Sequence, residues 1–159
     1  MLDAQAFMDR VVDVIRNDDV QGYTDMIALP YQVITATSTR SFLHRSDLED
    51  QFHIFRIGLE KMGFSDLRHR VIETTMLGAS LATAIYETQL VRGDRRLVAP
   101  YRSCITLRKD GDLWRAVSNA HTIGHADWVE RMEAIATQPG FTGEVPFGQP
   151  PLPMQRRTS

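Results

Sequence analysis

Four side chains have the types needed for proton chemistry on an uncharged small molecule: Glu73, Tyr86, Tyr101 and His121. A carboxyl enclosed in apolar surroundings is disfavoured in its charged form, so its pKa rises and it can exchange protons near neutral pH. Imidazole titrates near neutrality unaided. A phenol can hydrogen-bond the oxygen of a developing enolate. Glu73, Tyr86 and His121 are therefore the candidate catalytic residues. Tyr86, Tyr101, Ser103, Trp114, Phe52 and Phe55 are the candidate ligand-binding residues. Each also has a plainer reading. Glu73 would be a surface glutamate paired with Arg68 or Arg70, and the aromatic residues would be core.

Other chemistries find less support. His121, His125 and Asp127 lie close in sequence, but a spacing of four suits metal ligands on a helix, whereas His121 should end a strand and Gly124 intervenes. No metal site is expected. His69 is a further imidazole to consider, and His44 and His53 read as structural or exposed. Cys104 is the only cysteine; on a strand it reads as a small hydrophobe, and no intrachain disulfide can form. No glycine loop suited to cradling phosphate is present, because Gly93 and Gly111 sit in hairpin-like turns. No cofactor is expected.

The elements that must position these residues follow from periodicity and turn chemistry. Residues 3–17 have the apolar spacing of an amphipathic helix through Phe7, Val11, Val14 and Ile15, with Asp3 as cap. A short helix over 19–27 comes next, although Gly22 opposes it, and Pro30 closes the helical region. Residues 31–37 and 40–44 read as a strand pair. Ser46 to Glu49 reads as a capping box that opens a long helix, with Leu48, Phe52, Phe55, Leu59 and Met62 on one stripe and Gly63 ending it. Strands follow at about 66–77, 80–92, 96–109 and 113–122. A final helix is expected over 126–137. Five of the seven prolines fall in the last 21 residues, which marks 138–159 as a tail, so the expected organisation is one domain, 1–137, plus that tail.

Composition sets outer limits. The 159 residues carry 18 Lys and Arg against 20 Asp and Glu, a net charge of −2. A dedicated nucleic-acid binder would show a basic excess, so no nucleic-acid partner is expected. No apolar run is long enough to span a membrane, and the first residues lack a signal-peptide pattern. A cytoplasmic protein is the expectation. Charge is nonetheless uneven. Residues 1–66 hold 6 basic and 11 acidic groups, net −5, whereas residues 67–115 hold 9 basic and 5 acidic, net +4. Such a surface suits either an anionic ligand or a charge-complementary dimer interface.

Two-residue turns centred on Gly93-Asp94 and Asp110-Gly111 fix a register. Both put Ala82, Ala84, Tyr86, Leu90, Leu97, Tyr101, Ile105, Leu107, Trp114 and Ala116 on one apolar face, opposite Phe52, Phe55 and Leu59 of the long helix. The other face receives Glu87, Arg102, Arg115, Asn119 and His121. Ile85, Val98, Cys104 and Val117 make that outer face amphipathic, which suits a homodimer. Extending the register across Gly78-Ala79 puts His69, Val71, Glu73 and Thr75 inside. A one-residue bulge would instead bring in Arg68, Arg70, Ile72 and Thr74.

This element order resembles the nuclear transport factor 2-like superfamily over about residues 3–122. The segment from Tyr101 through Asp110-Gly111-Asp112 to Trp114-Arg115-Ala116-Val117 is similar to the SnoaL-like branch, in which a strand, a charged Asp-Gly turn and a Trp-Arg-apolar strand recur. The resemblance implies an α+β cone: a strongly curved, mostly antiparallel sheet wrapped around a long helix, enclosing an apolar pocket. It also implies homodimers through the outer sheet face. Relatives with isomerase or cyclase activity use a pocket Asp or Tyr for proton transfer, and dehydratase relatives use His and Tyr. Here Asn119 and His121 stand on the last strand in place of an Asp. The fold hosts enzymes and pure binding modules alike. The expected function is binding of a small, mostly apolar molecule, with cofactor-free isomerase, cyclase or dehydratase chemistry as one form. A non-catalytic ligand-binding or accessory interaction subunit is the alternative.

Overall fold

The computed structural model describes residues 1–97 and 99–121. The expected helix over 126–137, the tail 138–159, and the positions of Val98, His125 and Asp127 lie outside the described residues. The elements are α1 (Ala4–Arg16), α2 (Val20–Asp25), β1 (Ile27–Ile34), β2 (Thr39–Phe42), α3 (Arg45–Lys61), β3 (Asp66–Met76), β4 (Leu81–Arg92), β5 (Arg95–Arg96), β6 (Tyr101–Asp110) and β7 (Leu113–Ala120). The architecture is α+β, as expected. One mixed sheet runs β2-β1-β7-β6-β4-β3, with β5 paired to β4. Among the described strands only β1 and β7 pair in parallel; every other pairing there is antiparallel.

Local chemistry explains the helix ends. The Asp3 carboxylate accepts the Ala6 N–H at 2.9 Å and starts α1. Asp19 caps α2 the same way through Gly22 N–H. Gly22 is needed there because a Cβ at that position would collide with the Asp19 carboxylate. Gly63, at φ +66, ends α3; its N–H bonds Glu60 C=O and the Phe64 N–H bonds Leu59 C=O, the pairing that glycine after a helix allows. Two expectations are corrected. The box at the start of α3 involves His44 and Asp47 rather than Ser46 and Glu49, because the helix begins two residues earlier and Asp47 accepts the His44 N–H at 3.2 Å. The first strand begins at Ile27, so Pro30 lies within β1. It falls where the β1–β7 register shifts, between Ile27 and Gln32, a place where a residue without an N–H is tolerated.

The core forms two clusters. In one, Phe52, Phe55 and Leu59 of α3 pack with Val12 and Ile15 of α1, with Leu67 and Leu90 from the sheet, and with Leu97 just after β5. In the other, Ala4 and Met8 of α1 meet Ala84, Tyr86, Ile105, Leu107 and Ala116 from the middle of the sheet. The expected inner face is thus the buried one. Its middle, however, is shared with α1 and β1, and α3 contributes only Leu48 there. α1 is held to the edge strand by Gln5, whose Nε2 donates to His69 C=O at 2.9 Å and whose Oε1 accepts the Val71 N–H at 2.8 Å. This satisfies part of an edge that would otherwise be open.

Candidate functional site

Two one-residue bulges decide what reaches the inside of the sheet. Along β3, Leu67 to Val71 pair with Leu90 to Tyr86, but Glu73 pairs with Ile85. Ile72 is the extra residue. Before it, His69 and Val71 face inward, as the extended register expects. After it, facing is reversed. Glu73 is therefore corrected: it is exposed, its carboxylate 3.5 Å from the Thr75 hydroxyl. The apolar enclosure expected of it is absent.

The second bulge lies on β7. Lys109 to Leu107 pair with Trp114 to Ala116, and Thr106 then pairs with Ser118, leaving Val117 as the extra residue. Asn119 and His121 consequently turn inward, correcting their expected outer placement. Asn119 is 9% exposed. Its Nδ2 donates to the Tyr86 hydroxyl at 2.7 Å. The Nδ1 of His121 lies 3.0 Å from the Ser103 hydroxyl. Ser103 is buried and stands directly across from Tyr86 in the β4–β6 ladder. The His69 ring packs 4.9 Å from the Tyr86 ring on its other side. Asn119, Tyr86, Ser103 and His121 thus form one polar cluster on an otherwise apolar face.

This cluster borders an internal cavity with about 60 Å³ of space open to the centre of a water molecule. About 10–15 Å³ of such space is the least that holds one water, so the cavity has room for several waters or the buried part of a small organic molecule. Of the expected ligand-binding residues, Tyr86, Tyr101 and Phe55 line it, and so does His121. Ser103 stands behind His121. Phe52 and Trp114 lie elsewhere: Phe52 is in the α3 core and Trp114 at the margin of the sheet cluster. The sequence reading missed Tyr23 and Tyr31, which line the cavity, and the inward facing of Asn119. The two tyrosines come from α2 and β1, elements whose facing no turn register determines.

Among the described residues lining the cavity there is no Asp, Glu, Lys or Arg. Its titratable groups are phenols and imidazoles. Burial pushes the Tyr86 phenol up to about 12, against the lowering hydrogen bonds of Asn119 and Ser103. Burial likewise raises Tyr23, Tyr31 and Tyr101, with Asn119 opposing the shift at Tyr31. All four stay protonated at neutral pH and can act as hydrogen-bond donors. Any base in this cavity must be an imidazole. Among the described residues no group of three or more His, Cys, Asp or Glu could hold a metal ion, and no helix is long and apolar enough to cross a membrane.

No family model matches the sequence, and no curated protein matches it. Solved structures do. A Nostoc punctiforme domain of unknown function with a cystatin-like fold superposes at TM-score 0.59 and 13% identity, covering 74% of this chain and 73% of that one. An NTF-2-like protein of unknown function from Shewanella oneidensis gives 0.57 and 13%, covering 72% and 92%. A Novosphingobium aromaticivorans protein, provisionally assigned as an aromatic ring hydroxylase, gives 0.53 and 13%, covering 73% and 82%. At such identities the likeness establishes the fold alone.

Proposed function

We propose that this chain, which has the nuclear transport factor 2-like fold, binds a small, uncharged, mostly apolar molecule between α1 and the inner face of the sheet. The observation that carries this reading is the cavity's chemistry. Its described lining is mostly apolar and holds no Asp, Glu, Lys or Arg, and its polar side chains include Asn119, Tyr86 and His121, with the Ser103 hydroxyl 3.0 Å from His121 Nδ1 behind them. Such a site orients a ligand by one polar group and rejects charge, because burying an unpaired ion costs far more than burying a paired hydroxyl. The test compares two one-ring probes of equal size by ligand-observed NMR titration. Cyclohexanol is expected to bind at least tenfold more tightly than cyclohexylammonium. Equal binding of the two, or no saturable binding of any neutral one-ring probe, overturns the reading.

A second reading is cofactor-free proton transfer of the isomerase, cyclase or dehydratase kind. It is favoured by the two imidazoles, His69 and His121, on either side of a protonated Tyr86. With Glu73 outside, an imidazole nitrogen would take the proton α to a carbonyl, Tyr86 would donate a hydrogen bond to the enolate oxygen, and the imidazolium would return a proton to carbon. Exchange of the α-protons of cyclohexanone in D₂O, accelerated by the protein and lost in His121→Ala, supports this reading. Exchange at the buffer rate leaves the binding module, its non-catalytic alternative.

The outer sheet face supports a homodimer. Half-buried Ile85, Cys104 and Val117 alternate there with Glu87, Arg102 and Arg115, a mixture suited to an isologous interface. Sedimentation velocity at micromolar concentration is expected to give a dimer, and Ile85→Asp a monomer; a monomeric parent chain counts against this pairing. A lone cysteine fits a reducing, cytoplasmic setting.

A further inference from the structure

The polar cluster has a direction. The Asn119 nitrogen is engaged by the Tyr86 hydroxyl at 2.7 Å. Its oxygen is buried and has no hydrogen-bond partner among the described residues, and the side chain lines the cavity. Native interiors rarely leave such an acceptor unmatched. An amide oxygen can only accept, so what completes it must bring a proton. The phenols around the cavity are already donors. Adding a carbonyl ligand would satisfy those phenols and leave the Asn119 oxygen as it is.

We propose that the molecule this cavity takes carries a hydrogen-bond donor, a hydroxyl or amide N–H on an apolar ring, and that the Asn119 Oδ1 accepts it. This inference rests on the reading of the cavity as a site for a neutral ligand and narrows it. A ring alcohol fits better than the matching ketone because it meets the Asn119 oxygen with its proton. Its own oxygen remains free to accept from a tyrosine hydroxyl. Asn119 is then a specificity-determining residue that discriminates by leaving its oxygen unpaired when the donor is missing.

The test is a comparison of cyclohexanol with cyclohexanone on the parent protein, which does not depend on any variant folding. Cyclohexanol is expected to bind about tenfold more tightly, the ratio that one satisfied buried acceptor supports. In Asn119→Leu that preference should disappear. Equal affinities on the parent protein overturn the inference, since a trapped water then supplies the proton; so does a preference for the ketone, which would mean that Asn119 presents its amide N–H to the cavity. In both cases the neutral-ligand reading survives. If neither compound binds while the protein is folded, that reading itself fails and takes the inference with it.

Discussion

Phe52→Ala is expected to lower the free energy of unfolding by about 3–5 kcal/mol, the cost of removing a fully packed aromatic ring and leaving a void behind. Phe52 is 1% exposed and sits in the cluster that joins α3 to α1 and to the sheet. Its ring lies 5.0 Å from that of Tyr23, tilted by 42°, a geometry that adds to simple burial. Neighbouring side chains are themselves confined: Leu59 is fully buried and Met62 nearly so. The site has little freedom to collapse into the vacated space. Urea titration should show a lower midpoint with an unchanged slope. Phe52→Leu keeps most of the volume and should cost less than about 1.5 kcal/mol. Because Phe52 supports Tyr23 from behind and does not itself line the cavity, cyclohexanol affinity measured under folding conditions should change far less than stability. A loss of less than about 1 kcal/mol for the alanine variant, or a loss of binding without a loss of stability, would return Phe52 to the role of a ligand-contacting residue.

The contrast between Phe52 and Asn119 shows what the sequence makes legible. Period-two alternation along β4 and β6 identifies Ala82, Ala84, Tyr86, Ile105 and Leu107 as inward facing, and all five are buried. The Gly93-Asp94 turn holds, with Arg92 opposite Arg95 and Val91 opposite Arg96, but the chain shifts by two before β6, and the second turn is itself displaced by one residue, which moves its partners by two. Asp110 pairs with Leu113, placing Gly111-Asp112 in the turn, and Thr88 pairs with Tyr101 where alternation from Gly93-Asp94 expects Ala99. An error of two residues leaves every side chain on its original face, so the face survives although the partners change. An error of one reverses it. Ile72 and Val117 each introduce such a step, and nothing in their identity announces it. Both are β-branched residues that favour an uninterrupted strand. Their effect is set by what lies across from them. At Ile72 the edge hydrogen bonds pass to Gln5 just before the bulge, at Val71. At Val117 the strand is flanked by the parallel β1, whose register also shifts there. Those are tertiary facts about elements far apart in sequence. The same is true of α1: its apolar stripe is plain in Phe7, Val11 and Val14, but its placement over the sheet centre is not. Hence the fold could be read ahead of the structure, whereas two of the three candidate catalytic residues, Glu73 and His121, were assigned to the wrong face.

Insertion of one alanine between Ser118 and Asn119 is expected to abolish the preference for cyclohexanol over cyclohexanone and to lower cyclohexanol affinity by tenfold or more, while leaving a folded chain. The ladder between β6 and β7 is regular from Asp110 to Leu107, and past the extra residue Val117 it resumes with the pairs Thr106–Ser118 and Ile105–Asn119. The added alanine takes the place opposite Ile105, and every later side chain changes face. The alanine and Ala120 would point into the cavity, and Asn119 and His121 would point out. The 2.7 Å bond from Asn119 to Tyr86 and the 3.0 Å contact between His121 and Ser103 would both be lost. The phenol of Tyr86 would remain buried with fewer partners, which costs stability. Deletion of Val117 is the control: the ladder then runs without interruption through the existing Thr106–Ser118 and Ile105–Asn119 pairs, Asn119 keeps its face, and the preference should persist. Near-UV circular dichroism and a cooperative urea transition establish that each variant is folded, and the probe titration then reports on the site alone. Asn119→Leu separates the two contributions: it removes the amide and leaves His121 in place, so a larger loss in the insertion than in Asn119→Leu assigns the difference to His121. A folded insertion variant that binds cyclohexanol as the parent does would mean that neither residue reads the ligand, and that its polar group is held instead by the tyrosines of α2 and β1.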